Sequence, residues 1–213
     1  MTADTLALAP IQGFEHINRY WDRQRGIQAA KLLPGDYYVT DRAELITTVL
    51  GSCVAACVYC PGTGAGGMNH FMLPHTDHAR FVSPEERCLS RASRYGNFAM
   101  EFLINGVLRY GGCRRDLQVK LFGGASVVAN LGGVGVSNVE FVLAYVEREG
   151  MALVSYDLGG VFPRKIVFDP RTGSVKLKNL EQLTNDTIVR RESSYQQIVN
   201  GMAPEGSVEL FTG

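Results

Sequence analysis

Between Asp36 and Leu73 the chain is a succession of short runs rich in β-branched and aromatic residues, cut by glycine-rich breaks. That pattern commits this part of the molecule to a sheet. Asp36–Asp41 (DYYVTD) and Glu44–Leu50 (ELITTVL) read as strands, Val54–Tyr59 as a third. Pro61–Gly67 (PGTGAGG) reads as a loop, and Met68–Leu73 as a returning strand that closes a hairpin. Upstream, Pro34-Gly35 marks a turn. Phe14, Ile17 and Trp21 follow a helical spacing, which predicts one amphipathic helix within Gly13–Ala30. Residues 1–34 are therefore expected to be an N-terminal extension.

Later in the chain, helices interrupt the strands. Ser83-Pro84-Glu85-Glu86 is a helix start, with Ser83 as cap, Pro84 at the first helical position and Glu86 completing a capping box. Leu89, Ala92, Phe98, Phe102 and Leu103 then form the expected buried stripe, to about Tyr110, before Gly111-Gly112. Leu117–Phe122 reads as a strand followed by Gly123-Gly124, glycines that suit a close approach to a substrate chain or another loop. Ser137-Asn138-Val139-Glu140 is a second capping box, opening a helix that runs to Glu149 and stops at Gly150. Leu153–Asp157 reads as a strand, Arg164–Phe168 and Ser174–Lys178 as a hairpin, and Asn185–Val199 as a C-terminal helix. The expected fold is α/β: a layered sandwich with a mixed, largely antiparallel sheet and flanking helices. A catalytic domain over 35–180 is expected, followed by a tail over 181–213.

The 213 residues suffice for a packed core without staples. Formal net charge is zero, so composition gives no reason to expect nucleic acid or an anionic lipid surface as partner. No apolar run reaches the roughly 18 residues a membrane helix needs. The first residues lack a basic region followed by a long apolar one, so no secretory signal is read and a cytoplasmic location is expected. The five cysteines, Cys53, Cys57, Cys60, Cys88 and Cys113, then read as reduced thiols.

Chemistry concentrates between Ile46 and Pro74. A thiol needs a base to react near neutral pH, and His70 follows Cys53 across the glycine-rich connection. On a strand, Cys53 and Cys57 share one face and Cys60 takes the other. Four residues of extended chain span roughly 13 Å. That is too far for a Cys53–Cys57 disulfide, whose Cα atoms must lie within about 7 Å. It also counts against a zinc site built from Cys53, Cys57, Cys60 and His70, since zinc–sulfur bonds are about 2.3 Å long. A hairpin centred on PGTGAGG sets Cys57, not Cys53, opposite His70, so spacing alone does not choose the nucleophile. Position favours Cys53, which follows Gly51-Ser52 where backbone amides can face a reacting carbonyl. Gly51, Ser52 and Asn69 are read as oxyanion- or substrate-positioning residues. His75 and His78 fall in a polar loop, and His16 in the extension. Gly132-Gly133-Val134-Gly135 fails as a nucleotide motif, because the frame from Gly133 ends on Asn138 and no P-loop lysine follows.

Several blocks together resemble the chemoreceptor glutamine deamidase family, CheD. They are TTVLGSC (Thr47–Cys53, in this chain followed by VAACVY), GGMNHFMLP (Gly66–Pro74), RYGNFAMEFLINGVLRYGG (Arg94–Gly112), KLFGGA (Lys120–Ala125) and DLGGVFPRKIVFDPRTGSVKLK (Asp157–Lys178). The resemblance spans roughly 36–180. It implies a cysteine hydrolase that converts receptor glutamines to glutamates, with Cys53 as nucleophile, His70 as base and Thr47 as third residue, chosen over Thr48 by spacing. It implies no metal and no organic cofactor. Its implied partners are chemoreceptor cytoplasmic helices, as substrate, and a CheC-type phosphatase. Where relatives often have Arg-Asn before the second helix, this chain has Ser137-Asn138. The competing readings are a non-catalytic chemotaxis regulator of the same fold, a protease or carboxyl-methyl esterase using the same thioester route, and a metal-binding module.

Overall fold

The computed structural model describes residues 9–74, 91–127, 133–181 and 186–201. Among the described residues, ten strands form two five-stranded sheets. They are β1 (Asn18–Asp22), β2 (Ile27–Lys31), β3 (Tyr37–Thr40), β4 (Glu44–Leu50), β5 (Val54–Cys60), β6 (Ala65–Asn69), β7 (Gln118–Gly123), β8 (Ala152–Leu158), β9 (Arg164–Phe168) and β10 (Val175–Asn179). The helices are α1 (Arg91–Leu108), α2 (Val134–Arg148) and α3 (Asp186–Gly201). One sheet has the order β1-β2-β4-β9-β10 and the other β3-β6-β5-β7-β8. Only β2–β4 and β7–β8 pair in parallel; the other ladders are antiparallel. The expected α/β sandwich is the architecture found.

Strand β5 explains the layering. It is buried along its whole length, so both of its faces carry apolar side chains. Ala55 and Cys57 face the first sheet, packing with Ile46, Leu50, Ile166 and Phe168. Val54, Ala56, Val58 and Cys60 face the helices, packing with Met100, Leu103, Ile104 and Val142. The molecule is thus sheet on sheet on helices, and Cys57 and Cys60 lie on opposite faces, as strand alternation requires.

Four readings need correction. The helix expected within Gly13–Ala30 is instead the β1–β2 hairpin. Its turn is written in Asp22–Gly26: the Asp22 side chain accepts from the Arg25 amide, and Gly26 takes φ +63°. Arg19 then reaches buried Glu44 at 2.8 Å, tying β1 across β2 to β4. The returning strand after the glycine-rich turn starts at Ala65, not Met68, because Gly66 and Gly67 belong to the ladder. A Cβ on Gly67 would meet the Tyr38 carbonyl at 2.6 Å. In α1 the buried stripe runs through Met100, Leu103, Ile104 and Val107. Phe98 and Phe102 are 60% and 57% exposed, off that stripe. Finally, α2 begins at Val134 behind Gly133, so Ser137 lies within it rather than capping it, its amide bonded to the Gly133 carbonyl. The helix start at Ser83–Glu86, and with it Leu89, falls outside the described residues, as do His75, His78 and Cys88. The C-terminal helix expected over 185–199 runs from Asp186 to Gly201.

Gly123-Gly124 approaches another loop, the one that carries Cys53. Gly123 has φ +110°, and a Cβ there would sit 2.2 Å from the Cys53 carbonyl oxygen. The Gly124 amide donates to that same oxygen at 2.7 Å. Gly123→Ala should therefore combine backbone strain with a collision and destabilise the protein by about 2–4 kcal/mol. Chemical denaturation of the variant against wild type measures this directly.

Candidate active site

Cys53 sits in the turn between β4 and β5, and its carbonyl and amide neighbours are held from several sides. The Ala125 amide donates to the Gly51 carbonyl at 2.8 Å. Asn138 Nδ2 donates to the Ser52 carbonyl at 2.8 Å, while its Oδ1 accepts from the Leu73 amide at 2.8 Å. One buried amide side chain on α2 thus bolts the thiol loop to the segment just beyond His70.

His70 follows β6. The bridge between Val54 and Phe71 sets His70 across from Ala55, diagonal to Cys53 on the face between the sheets. Cys57 pairs with Met68, not His70, because β6 starts earlier than a hairpin centred on PGTGAGG would allow. The register brings Cys53 rather than Cys57 to His70: Cys53, His70 and Glu192 offer side-chain atoms all within 4.8 Å of one another. Cys57 is packed as a core residue.

Of the two threonines, it is Thr48 and not Thr47 whose hydroxyl reaches His70. Neighbouring residues on a strand face opposite sides. Thr47 Oγ1 donates to the Ile166 carbonyl at 2.8 Å, whereas Thr48 Oγ1 lies 2.7 Å from His70 Nδ1. Thr48 Oγ1 also donates to the Leu32 carbonyl at 2.9 Å. A hydroxyl has one proton to give. With that proton on Leu32, Thr48 accepts from Nδ1–H, and the network assigns the tautomer in which Nε2 carries the lone pair. Nε2 is buried and makes no hydrogen bond. That leaves a free lone pair on an imidazole close to the Cys53 thiol.

Around Cys53 the amides converge. Glu192 of α3 accepts from the Gly51 amide at 2.8 Å and the Cys53 amide at 3.2 Å through Oε1. Through Oε2 it accepts from the Ser52 amide at 2.8 Å and the Ser52 hydroxyl at 2.6 Å. Gly51 and Ser52 thus turn their amides, with that of Cys53, toward one carboxylate beside the thiol. Asn69 does not. Its Oδ1 accepts from the Ala56 amide and its Nδ2 donates to the Ala99 carbonyl, which makes it a strut under α1 on the opposite side of the sheet.

Cys53, His70 and Glu192 have the donor types and closeness of a metal site. The carboxylate, however, has about four acceptor sites, and four donors fill them. In this arrangement Glu192 has no lone pair left for a cation. Beside His70 opens a cleft of about 270 Å³, lined by Gly35, Asp36, Tyr95, Phe98 and Phe102 among others.

The electrostatics favour neutral partners. Burial pushes the Cys53 thiol well up, and the adjacent Glu192 carboxylate pushes it further. Burial pulls the His70 imidazole down to about 4, against an opposing pull from Glu192. Sequence reasoning missed Thr48, Asn138 and Glu192 in these roles. Alternation along β4 could have flagged Thr48, but nothing local marks Glu192, 139 residues from Cys53.

Comparison with known proteins gives consistent matches. A family model described as CheD chemotactic sensory transduction matches residues 72–179. A Halorhodospira halophila (strain DSM 244 / SL1) protein named probable chemoreceptor glutamine deamidase CheD is 50% identical over 204 residues, covering 94% of this chain and 93% of its own. One of the same name from Hahella chejuensis (strain KCTC 2396) is 48% identical over 198 residues, covering 93% and 92%. Another from Vibrio vulnificus (strain YJ016) is 46% identical over 198 residues, covering 92% of each.

The titration directions set an expected labelling order. Because the thiol is pushed up, its thiolate should be scarce at about pH 7 and grow as pH rises, while the imidazole stays neutral until pH falls toward about 4. Iodoacetamide should therefore alkylate exposed Cys113 well before Cys53 near neutral pH, with Cys53 labelling climbing in alkali. Peptide mass spectrometry across a pH series measures both rates.

Proposed function

The chain belongs to the CheD family, and from that premise we propose how it deamidates chemoreceptor glutamines. Cys53 is the nucleophile, His70 the base and Thr48 the residue that positions the imidazole. The observation that carries this reading is the bare Nε2 of His70, held in that tautomer by Thr48 beside the thiol.

The reaction follows from the groups present. His70 Nε2 takes the Cys53 proton as the sulfur attacks the glutamine carboxamide carbon. The carbonyl oxygen gains charge, and the Gly51 and Cys53 amides that now hold Glu192 Oε1 are placed to receive it. The imidazolium gives its proton to the departing nitrogen, the C–N bond breaks and ammonia leaves. A water, deprotonated by the same Nε2, then attacks the thioester. The C–S bond breaks, the proton returns to sulfur, and a glutamate carboxylate remains. Thr48 keeps Nδ1 as a donor throughout, the part of the third member of a triad. No step in this sequence calls for a metal or an organic cofactor.

The substrate is a protein helix, and the cleft beside His70, rimmed by exposed Phe98 and Phe102, is suited to admit it. Each turnover replaces a neutral side chain with a carboxylate, which adds like-charge repulsion along packed receptor helices. The reading includes a catalytic domain over 35–180, a cytoplasmic location, where receptor signalling helices lie, and a CheC-type phosphatase as further partner. Among the described residues no helix is long and apolar enough to cross a membrane.

Incubating a receptor cytoplasmic fragment with wild type, Cys53→Ala and Cys57→Ala tests the nucleophile. Wild type and Cys57→Ala should each add about one mass unit per converted glutamine, and Cys53→Ala none. No mass gain with any of them would reject the deamidase reading. In the same assay Thr48→Val should lower kcat roughly 10²-fold with KM little changed, the low end of what a well-held general base contributes. Thr47→Val, whose hydroxyl bonds the Ile166 carbonyl, should leave kcat close to wild type.

A further inference from the structure

A carboxylate in the interior is costly unless the site is built to hold an anion. Glu192 is 2% exposed, and its four hydrogen bonds come from neutral donors, three backbone amides and the Ser52 hydroxyl. Those donors belong to the loop of the nucleophile. They cannot hold Glu192 and a substrate carboxamide at once.

The side chain is also presented in a particular way. Glu192 projects from a helix, and residues three and seven positions on share its face. Tyr195, at the first of these, bonds the Tyr95 hydroxyl and packs on Gly35, where a Cβ would come within 2.9 Å of its ring. Val199, at the second, is buried. Gly35 and Tyr95 both line the cleft beside His70. The helix thus packs against two residues of the cleft wall and brings an acidic side chain against both the thiol and the amides of its loop. Glutamate is what deamidation of a helical glutamine leaves behind.

We propose that α3 is an internal product mimic: Glu192 occupies the carboxylate site formed by Gly51, Ser52 and Cys53, and closes the enzyme until a receptor helix displaces it. This rests on the deamidase reading above and adds a regulatory element to it. Substrate helices compete with α3 for one cradle, and so does the product carboxylate they carry after turnover. Displacing α3 removes the anion beside Cys53 and frees the amides for the reacting oxygen in the same movement.

The site can be made to report on itself. In full-length Glu192→Gln, Oε1 keeps the Gly51 and Cys53 amides, the carboxamide nitrogen donates to the Ser52 hydroxyl, and the Ser52 amide loses its acceptor. Cys53 should attack Cδ, expel ammonia on a proton from His70, and give up the acyl group to water, restoring Glu192 with a gain of about one mass unit. The double variant Cys53→Ala, Glu192→Gln should keep its glutamine. In full-length Glu192→Ala, Cys53 should be alkylated by iodoacetamide at least about tenfold faster than in wild type. Cys57, buried on β5, should stay unlabelled, which distinguishes opening from unfolding. The KM for a receptor fragment should fall severalfold.

If the glutamine introduced by Glu192→Gln persists in protein still able to deamidate the receptor fragment, the mimic is overturned. A wild-type alkylation rate in Glu192→Ala would overturn it too. If neither the introduced glutamine nor the receptor is converted, the deamidase reading itself fails. The alkylation rates, which require no turnover, then decide on their own whether α3 occludes the thiol.

Discussion

Three backbone N–H groups, those of Gly51, Ser52 and Cys53, turn inward together, and buried N–H groups must find acceptors. Much of the molecule is arranged around that demand. The carbonyls of the same three residues are held from the end of β7 and from α2, by the Ala125 and Gly124 amides and the Asn138 side chain. With its carbonyls anchored, the turn cannot rotate its amides away, and they face one shared point. Glu192 fills that point from α3. Gly51 lacks a side chain for the same reason: a Cβ there would lie 2.8 Å from the carboxylate. A rigid turn with aligned donors is the preorganisation that acyl transfer needs, since the dipoles need not reorient when charge appears.

The His70 imidazole is positioned by equally simple means. His70 is buried between two sheets, where an imidazole is neutral unless something stabilises its charge. A threonine on the neighbouring strand spends its single proton on a backbone carbonyl, and the ring must then donate to it. Tautomer selection here requires no acidic third residue. A neutral hydroxyl orients the ring without strongly stabilising the imidazolium, which suits a base that must both accept and return a proton.

Much of this was legible beforehand. Strands β3, β4, β5, β7 and β9 follow from runs of β-branched and aromatic residues, because such runs suit half-buried or buried pleats. Separating Cys53 and Cys57 from Cys60 needed only strand alternation. What failed had competing local signals. Phe14, Ile17 and Trp21 fit a helix, but Asp22 to Gly26 encodes a turn that breaks it, and the residues pair as strands. Thr47 and Thr48 differ by one position, so spacing from Cys53 could not separate them, whereas the face of β4 does. Asn138 read as part of a cap because Ser-Asn-Val-Glu fits one, while its long-range partners, Ser52 and Leu73, are invisible locally. The match of Glu192 to the Cys53 loop spans most of the chain and has no sequence signature at all.

The start of α2 separates two kinds of residue within a single turn. Asn138 is fully buried and joins the thiol loop to the strand side of the base. Its neighbours Val136, Ser137 and Glu140 face solvent. Changing Asn138 would disturb both halves of the catalytic pair together. The solvent-facing positions can drift without reaching either. Ser137 is one of these, and its side chain plays no part in the reacting geometry. One turn of helix thus sets a residue that ties the site together directly beside an outer face whose side chains reach none of it.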